Sequence, residues 1–398
     1  MDLFDRVIER RNTDCEKWDG LEQLFGAPDA LPMWVADMDF AAPEPVLEAL
    51  RAKIDHGVLG YTRRTDAYLE AVAGWMAERH GWPVEKEWIV FCPGVVPALN
   101  LIVQAFTEPG DKVVIQTPVY PPFYNVVKNH GRELVLNPLR KNGDRYEMDL
   151  DDLESKLDDK VKLLILCSPH NPVGRVWTRE ELERLAELSE KHGFLVASDE
   201  IHADLVYAPH THTPFANISE WSKRRTIVCT APSKTFNIAG LNTANMIIPD
   251  KELRDRFARE VAKYSLGSIT PTGHAATIAA YREGGPWLDA LLAYLQQNID
   301  YALEVVAKEL PELRAVKPEA TYLLWLDCRG LGMSVKELNA FLLKEAKLAL
   351  NNGAMFGTDG EGYVRMNLAC SRATVKEGMN RLTAAVRALR QRREDSRS

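Results

Sequence analysis

Between residues 88 and 248, short apolar runs alternate with stretches of helical spacing. Residues 88–92, 112–116, 133–136, 161–167, 194–198, 226–229 and 244–248 read as strands. The runs are mostly apolar rather than alternating in and out, which describes strands covered on both faces. Between them, residues 95–107, 118–130 and 178–192 read as helical segments. Thr178 with Glu181 three residues on makes a capping box, and Gly193 closes that helix. Strands separated by helices predict an α/β domain built on a mostly parallel sheet of seven strands flanked by helices. Upstream, residues 45–54 and 66–80 have helical spacing, and Gly81 and Pro83 stop the second.

After Pro286 the texture changes to α+β. A long helix runs to about residue 310, then a strand at 321–326, a helix at 335–348, a strand at 363–369 and a last helix from about residue 375. These predict a large domain over 46–286, a smaller α+β domain over 287–398, and an N-terminal arm over 1–45 that joins the smaller domain and the dimer interface. The arm is expected to hold a short helix at 5–11, and the charged tail from 390 to 398 to fray. The segment 31–40 is irregular yet carries Met33, Trp34, Val35, Met38 and Phe40 around two acids, Asp37 and Asp39. So apolar a loop is expected to cover a cleft or to meet another subunit.

Composition narrows the function classes. A chain of 398 residues with 46% hydrophobic and 27% charged residues is ordinary for a globular protein. A net charge of -8 argues against general nucleic-acid binding. The six cysteines form no CxxC pair and read as small buried hydrophobes in a reducing compartment. No metal-ligand spacing occurs, and His210-Thr-His212 reads as a solvated loop. No apolar run resembles a signal or a membrane span, so a cytoplasmic protein is expected.

Four strand ends carry candidate chemistry. Pro93-Gly94-Val95-Val96-Pro97 opens a helix whose free N–H groups suit a phosphate. Ser168-Pro169-His170-Asn171-Pro172-Val173-Gly174 presents Asn171 as a rigid amide. Asp199 is a carboxylate leaving a buried strand, costly unless it meets a cation. Lys234, in Thr230-Ala-Pro-Ser-Lys234-Thr-Phe-Asn-Ile-Ala-Gly-Leu241, follows a core strand, where desolvation makes an amine nucleophilic. Singly these could be a turn former, a helix cap and a surface lysine. Together they suit pyridoxal phosphate: its ring nitrogen on Asp199, its ring hydroxyl on Asn171, its aldehyde on Lys234 and its phosphate at the Gly94 turn.

These motifs resemble the fold-type I pyridoxal-phosphate enzymes, the aspartate aminotransferase superfamily, along nearly the whole chain. Leu31-Pro-Met-Trp-Val-Ala-Asp-Met-Asp-Phe40, Gly60-Tyr-Thr-Arg63, Pro93-Gly-Val-Val-Pro-Ala-Leu99, Ser198-Asp-Glu-Ile-His202 and Ala231-Pro-Ser-Lys-Thr-Phe-Asn-Ile-Ala-Gly-Leu241 resemble its MalY/PatB subgroup of C–S β-lyases. The resemblance implies that Lys234 bonds the cofactor and moves the substrate's α-proton, while Asp199 pairs with the ring nitrogen. It implies that Asn171 bonds the ring oxygen, Tyr120 stacks on the ring, and Val95, Val96 and Ser233 hold the phosphate. Tyr61 is implied to reach the phosphate of a neighbouring subunit in a homodimer. Arg365 is implied to clamp the substrate α-carboxylate, with the Ala36 backbone nearby. Two positions depart from the wider superfamily. His202 stands where many members have a tyrosine on the ring oxygen, and Asn242 where many have a phosphate-binding arginine.

The implied reaction is β-elimination from cystathionine, cystine or S-alkylcysteines to a thiol, pyruvate and ammonia. An aminotransferase would use the same residues up to loss of the α-proton, so the residues alone leave both open. A regulator on a retained enzyme scaffold would predict a broken site or an added DNA-binding segment, and neither is present.

Overall fold

Seven strands form the sheet of the larger unit: β1 (Ile89–Cys92), β2 (Lys112–Thr117), β3 (Glu133–Pro138), β4 (Val161–Cys167), β5 (Leu195–Asp199), β6 (Thr226–Thr230) and β7 (Ala244–Ile247). Their order across the sheet is β1-β7-β6-β5-β4-β2-β3. Only β7 runs antiparallel to its neighbours. The seven expected runs are these strands, with ends shifted by a residue or two. The computed structural model describes residues 3–396, so residues 1–2 of the arm and 397–398 of the tail lie outside the described residues.

The chain divides into two compact units. One comprises Ala42–Asn171 and Arg175–Ala290; the other comprises Met1–Ala41, Pro172–Gly174 and Leu291–Ser398. The larger unit carries helices α1 (Glu44–His56), α2 (Asp66–His80), α3 (Val95–Phe106), α4 (Arg179–His192), α5 (Pro232–Thr235), α6 (Lys251–Lys263) and α7 (Pro271–Glu283). The capping box of α4 forms as expected, and Gly193 ends it in the left-handed region. Helix α3 packs on β1, β4, β5 and β6, and its apolar residues join theirs in one core. The pattern reading passed over α6 and α7. Helix α6 is highly polar and buries only Leu253, Phe257 and Val261, a stripe at every fourth residue.

Helix α8 (Gly285–Glu309) leads into a four-stranded antiparallel sheet, ordered β8-β9-β11-β10. Its strands are β8 (Arg314–Val316), β9 (Leu323–Asp327), β10 (Asn351–Asn352) and β11 (Tyr363–Asn367). Helices α9 (Val335–Lys344) and α10 (Arg372–Asp395) complete the smaller unit. Helix α9 stops short of the expected residue 348. Lys347 is left-handed, and Leu348–Ala349 pairs in parallel with Leu31–Pro32. Among the described residues no helix is long and apolar enough to cross a membrane.

Two expectations are corrected. Residues 5–11 form no helix beyond the short turn Leu3–Asp5. Asn12 and Asp14 take left-handed backbone, and the Asp19 carboxylate accepts from the N–H groups of Asn12, Thr13 and Cys15 instead. The tail does not fray at residue 390: α10 reaches Asp395, with Arg390 paired to Glu312 (2.8 Å) and Arg393 donating to Leu331 O (2.7 Å). Within the 31–40 segment Met33, Met38 and Phe40 are buried, while Trp34 and Val35 stay half-buried. Phe40 packs on Phe4 and Tyr294, Trp34 on Phe25, and Met33 and Met38 are buried.

Gly174 closes the Asn171 loop with φ +71°, and its carbonyl accepts from the N–H groups of Glu319 and Ala320. A Cβ there would stand 2.7 Å from Pro318 Cβ. Gly174→Ala therefore combines left-handed strain with overlap and should lower unfolding free energy by about 2 kcal/mol or more, read by urea denaturation.

Candidate active site

Parallel strands bring their carboxyl ends to one edge of the sheet, and the register makes that edge specific. Cys167, Asp199 and Cys229 stand opposite one another on β4, β5 and β6. Asp199 is thus the last residue of a central strand, and it is buried. Burial pushes its carboxyl up to about 7; the Ile201 N–H (3.2 Å) pulls it down, Glu200 pushes it up, and the Lys234 amine pulls it down. The carboxylate therefore has an N–H and a nearby amine but sits short of full ionic compensation. Lys234 lies half-buried on α5, one short turn beyond β6, next to half-buried Ser233.

Around these two groups the other strand ends contribute polar and aromatic side chains. Asn171 is buried, and its N–H is held by Cys167 Sγ at 3.3 Å. Its loop is pinned by His170, whose ring Nε2 lies 2.8 Å from Pro118 O, and by Trp177, whose indole donates to Cys167 O. Burial pulls the His170 imidazole down to about 4, which keeps it neutral. Arg175 anchors the loop's far side on Glu181 (2.8 Å) and on Tyr146 O. Tyr120, three residues past β2, packs on the same core as Val96 and Ile201. His202 is buried three residues beyond Asp199. Helix α3 starts at Val95 without a side-chain cap, so its first N–H groups lack intrahelical partners.

A buried carboxylate, an amine and a helix N-terminus are what a protonated ring nitrogen, an aldehyde and a phosphate require. The raised Asp199 carboxyl is the observation that makes the fit specific, since a cationic ring would offset its desolvation. Among the described residues no cluster of His, Cys, Asp or Glu side chains gathers as metal ligands.

The smaller unit holds Arg365 and Ala36. Arg365, on β11, is buried, donates from Nη2 to Asn351 Oδ1 (2.6 Å) and Trp34 O (3.2 Å), and lies over the Phe356 ring at 4.9 Å. Ala36 is half-buried in the loop that supplies that Trp34 carbonyl. Tyr61 belongs to neither group: it is fully exposed in a segment where Val58 and Leu59 are exposed too. Asn242 is left-handed and exposed at the end of a short turn after the lysine.

A second layer went unread in the sequence. His212 is not solvated: it is buried, with Nε2 2.9 Å from Glu200 Oε2. Ser198 Oγ and the Phe215 N–H also donate to Glu200. Asp204 accepts from Trp75 Nε1 (2.9 Å) and Thr235 Oγ1 (2.7 Å), and lies 2.8 Å from His80 Nε2. Burial pushes the Asp204 carboxyl up, but His80, Thr235 and Trp75 outweigh it and hold it below its usual range. Glu200 directly follows Asp199, and Thr235 directly follows Lys234. The signal that existed was three acids within six residues of a core strand, more than one ligand needs.

Residues 30–382 match the family model for aminotransferase class I and II. The chain is 49% identical over 384 residues to cystathionine β-lyase PatB of Bacillus subtilis (strain 168), covering 96% of this chain and 99% of that protein. It is 37% identical to MalY of Escherichia coli (strain K12) over 97% of this chain and 99% of that one. Its fold matches cystalysin from Treponema denticola, a structure containing pyridoxal 5′-phosphate, with TM-score 0.94, 37% identity, and coverage of 98% and 100% of the two chains.

The Asp199 carboxyl yields a pH prediction. Its folded pKa lies above the unfolded carboxylate value, so the cofactor-stripped protein binds this proton more tightly when folded. Stability from this group is full below about pH 4 and is lost as pH rises towards 7. Asp199→Asn should remove that slope and stabilise the cofactor-stripped protein at pH 8 by up to about 4 kcal/mol. Urea denaturation at pH 5 and pH 8 measures it.

Proposed function

The chain belongs to the aminotransferase class I and II family, and from that premise we propose that it is a pyridoxal-phosphate-dependent C–S β-lyase. Its substrates are L-cystathionine or related cysteine S-conjugates. The observation that carries this reading is the match to cystathionine β-lyases along nearly the whole chain, with an intact amine and carboxylate at the strand ends.

Pyridoxal 5′-phosphate, when bound, supplies the electron sink that makes the substrate's α-proton acidic. Val95 and Val96 N–H groups and the Ser233 hydroxyl hold its phosphate. Asp199 holds the proton at the ring nitrogen, Asn171 and His202 orient the ring through its oxygen, and Tyr120 covers one ring face. With Asn242 where an arginine is often found, the phosphate relies on backbone N–H groups, Ser233 and the Tyr61 hydroxyl of a partner subunit. Arg365 binds the substrate α-carboxylate as a two-pronged donor, beside the Ala36 backbone. The Lys234 amine takes the proton from the substrate's Cα. The C–S bond then breaks with the sulfur keeping the electron pair. With one water, L-cystathionine gives homocysteine, pyruvate and ammonia.

The working unit in this reading is a cytoplasmic homodimer in which the N-terminal arm joins the smaller domain and contributes to the interface. Ile54, Val58, Leu59 and Tyr61 are all exposed, a run of apolar side chains that a second subunit would cover. Six unbridged cysteines suit a reducing compartment.

Purified enzyme given L-cystathionine should release pyruvate and free thiol in equal amounts, followed by lactate dehydrogenase coupling and a thiol reagent. Accumulation of pyridoxamine phosphate without thiol would instead identify an aminotransferase. Lys234→Ala should lose the visible absorbance of the bound cofactor and essentially all turnover.

Subunit sharing has its own test. Lys234→Ala and Tyr61→Ala proteins, each impaired alone, should regain about a quarter of wild-type activity when dissociated and reassociated together, because half the dimers carry one complete site. No gain on mixing would place Tyr61 outside the partner's site.

A further inference from the structure

Lys17 is 1% exposed and takes no part in the chemistry above. A buried ammonium is costly unless it is paired and hydrogen-bonded. Its Nζ donates to Asp39 Oδ2 (2.8 Å) and to Asp37 O (3.1 Å). The other Asp39 oxygen accepts from Arg10 Nη1 (2.8 Å) and Trp18 Nε1 (3.0 Å). Arg10 also reaches Asp37 Oδ2 (2.7 Å) and Met38 O (3.0 Å). Two cations from the N-terminal arm thus meet two acids of the 31–40 segment, a neutral set with every partner within hydrogen-bond distance.

The same segment is held from its other side by β11. Arg365 donates to Trp34 O, and Asn367 Nδ2 donates to both Val35 O (2.7 Å) and Asp37 O (2.8 Å). The Asp39 N–H donates to Ala369 O (2.9 Å). The carbonyls of residues 34, 35, 37 and 38 are therefore each taken by a side chain. A peptide unit is planar, so fixing its carbonyl fixes the direction of the N–H across the same bond. The peptide plane before Ala36 is thus held by Asn367, the Asp37 N–H beyond it donates back to Val35 O (2.8 Å), and the arm holds the next two carbonyls, those of Asp37 and Met38.

We propose that Arg10, Lys17 and Asp39 form an ionic clasp that positions the Ala36 backbone for the substrate α-carboxylate. They are positioning residues: they touch the loop, and the loop and Arg365 receive the carboxylate. The inference rests on the reading of Arg365 and Ala36 as the carboxylate site. Binding specificity for α-carboxylate ligands then depends on an arm remote in sequence from the lysine.

The test uses the cofactor-loaded enzyme with Arg10→Gln, Arg10→Lys, Lys17→Met and, as control, Arg365→Lys. Arg10 is partly exposed while Lys17 is buried, so a melting curve should show Arg10→Gln less destabilised than Lys17→Met. Arg10→Gln should raise KM for L-cystathionine about tenfold, the scale of a lost charge-assisted hydrogen bond, with kcat nearly unchanged. Arg10→Lys should recover part of it. Binding of L-alanine, read from the cofactor absorbance, should weaken in parallel, while ethylamine, which lacks the carboxylate, should bind as in wild type. Equal weakening of both ligands, or an unchanged KM in folded Arg10→Gln, overturns the clasp. If Arg365→Lys impairs alanine binding while the arm variants do not, the clasp alone fails. If Arg365→Lys also leaves it unchanged, the carboxylate reading fails and takes the clasp with it.

Discussion

A carboxylate buried at the end of a central strand is the constraint around which the larger unit is arranged. Water would solvate Asp199 well; the strand end does so poorly, and burial pushes its carboxyl up to about 7. A nearby cation offsets that cost, as do N–H donors. The fold brings one part of the answer, the Lys234 amine, to the end of the neighbouring strand. The same two positions are braced behind. Glu200 is tied to His212 and Ser198, and Thr235 to Asp204. The buried acids next to the chemistry are satisfied by donors of the protein itself, which leaves Asp199 as the acid short of a cation.

The smaller unit treats charge in a different way. Arg365 is buried, and its Nη2 donates to the Asn351 side-chain oxygen and to the Trp34 carbonyl. Those two bonds fix the direction of the guanidinium plane. The acids of the nearby segment, Asp37 and Asp39, are instead consumed by Arg10 and Lys17.

How much was legible depended on whether a residue's role was local. The strand runs were legible because the central strands are covered on both faces, so the chain there is apolar at most positions. The capping box of α4 was legible because Thr178 and Glu181 meet within one turn. Helix α6 was not, because only three of its residues reach the core. His212 looked solvated because its partner, Glu200, is twelve residues away and joins it only when the strand end and the following loop fold together. The arm failed in the same way: helical spacing at 5–11 lost to distant acids that claim Arg10.

By itself, then, the sequence determined the alternation of strands and helices, the strand-end placement of Asn171, Asp199 and Lys234, and through them the chemistry. These follow from periodicity and short motifs, which act over a few residues. Only the tertiary structure decided which strand ends adjoin, how far Asp199 is desolvated, and that Lys17 and Asp39 meet in a buried pair. Those properties belong to neighbours far apart in the chain. Desolvation and ion pairing depend on everything packed around a group, and no local pattern of residues records that.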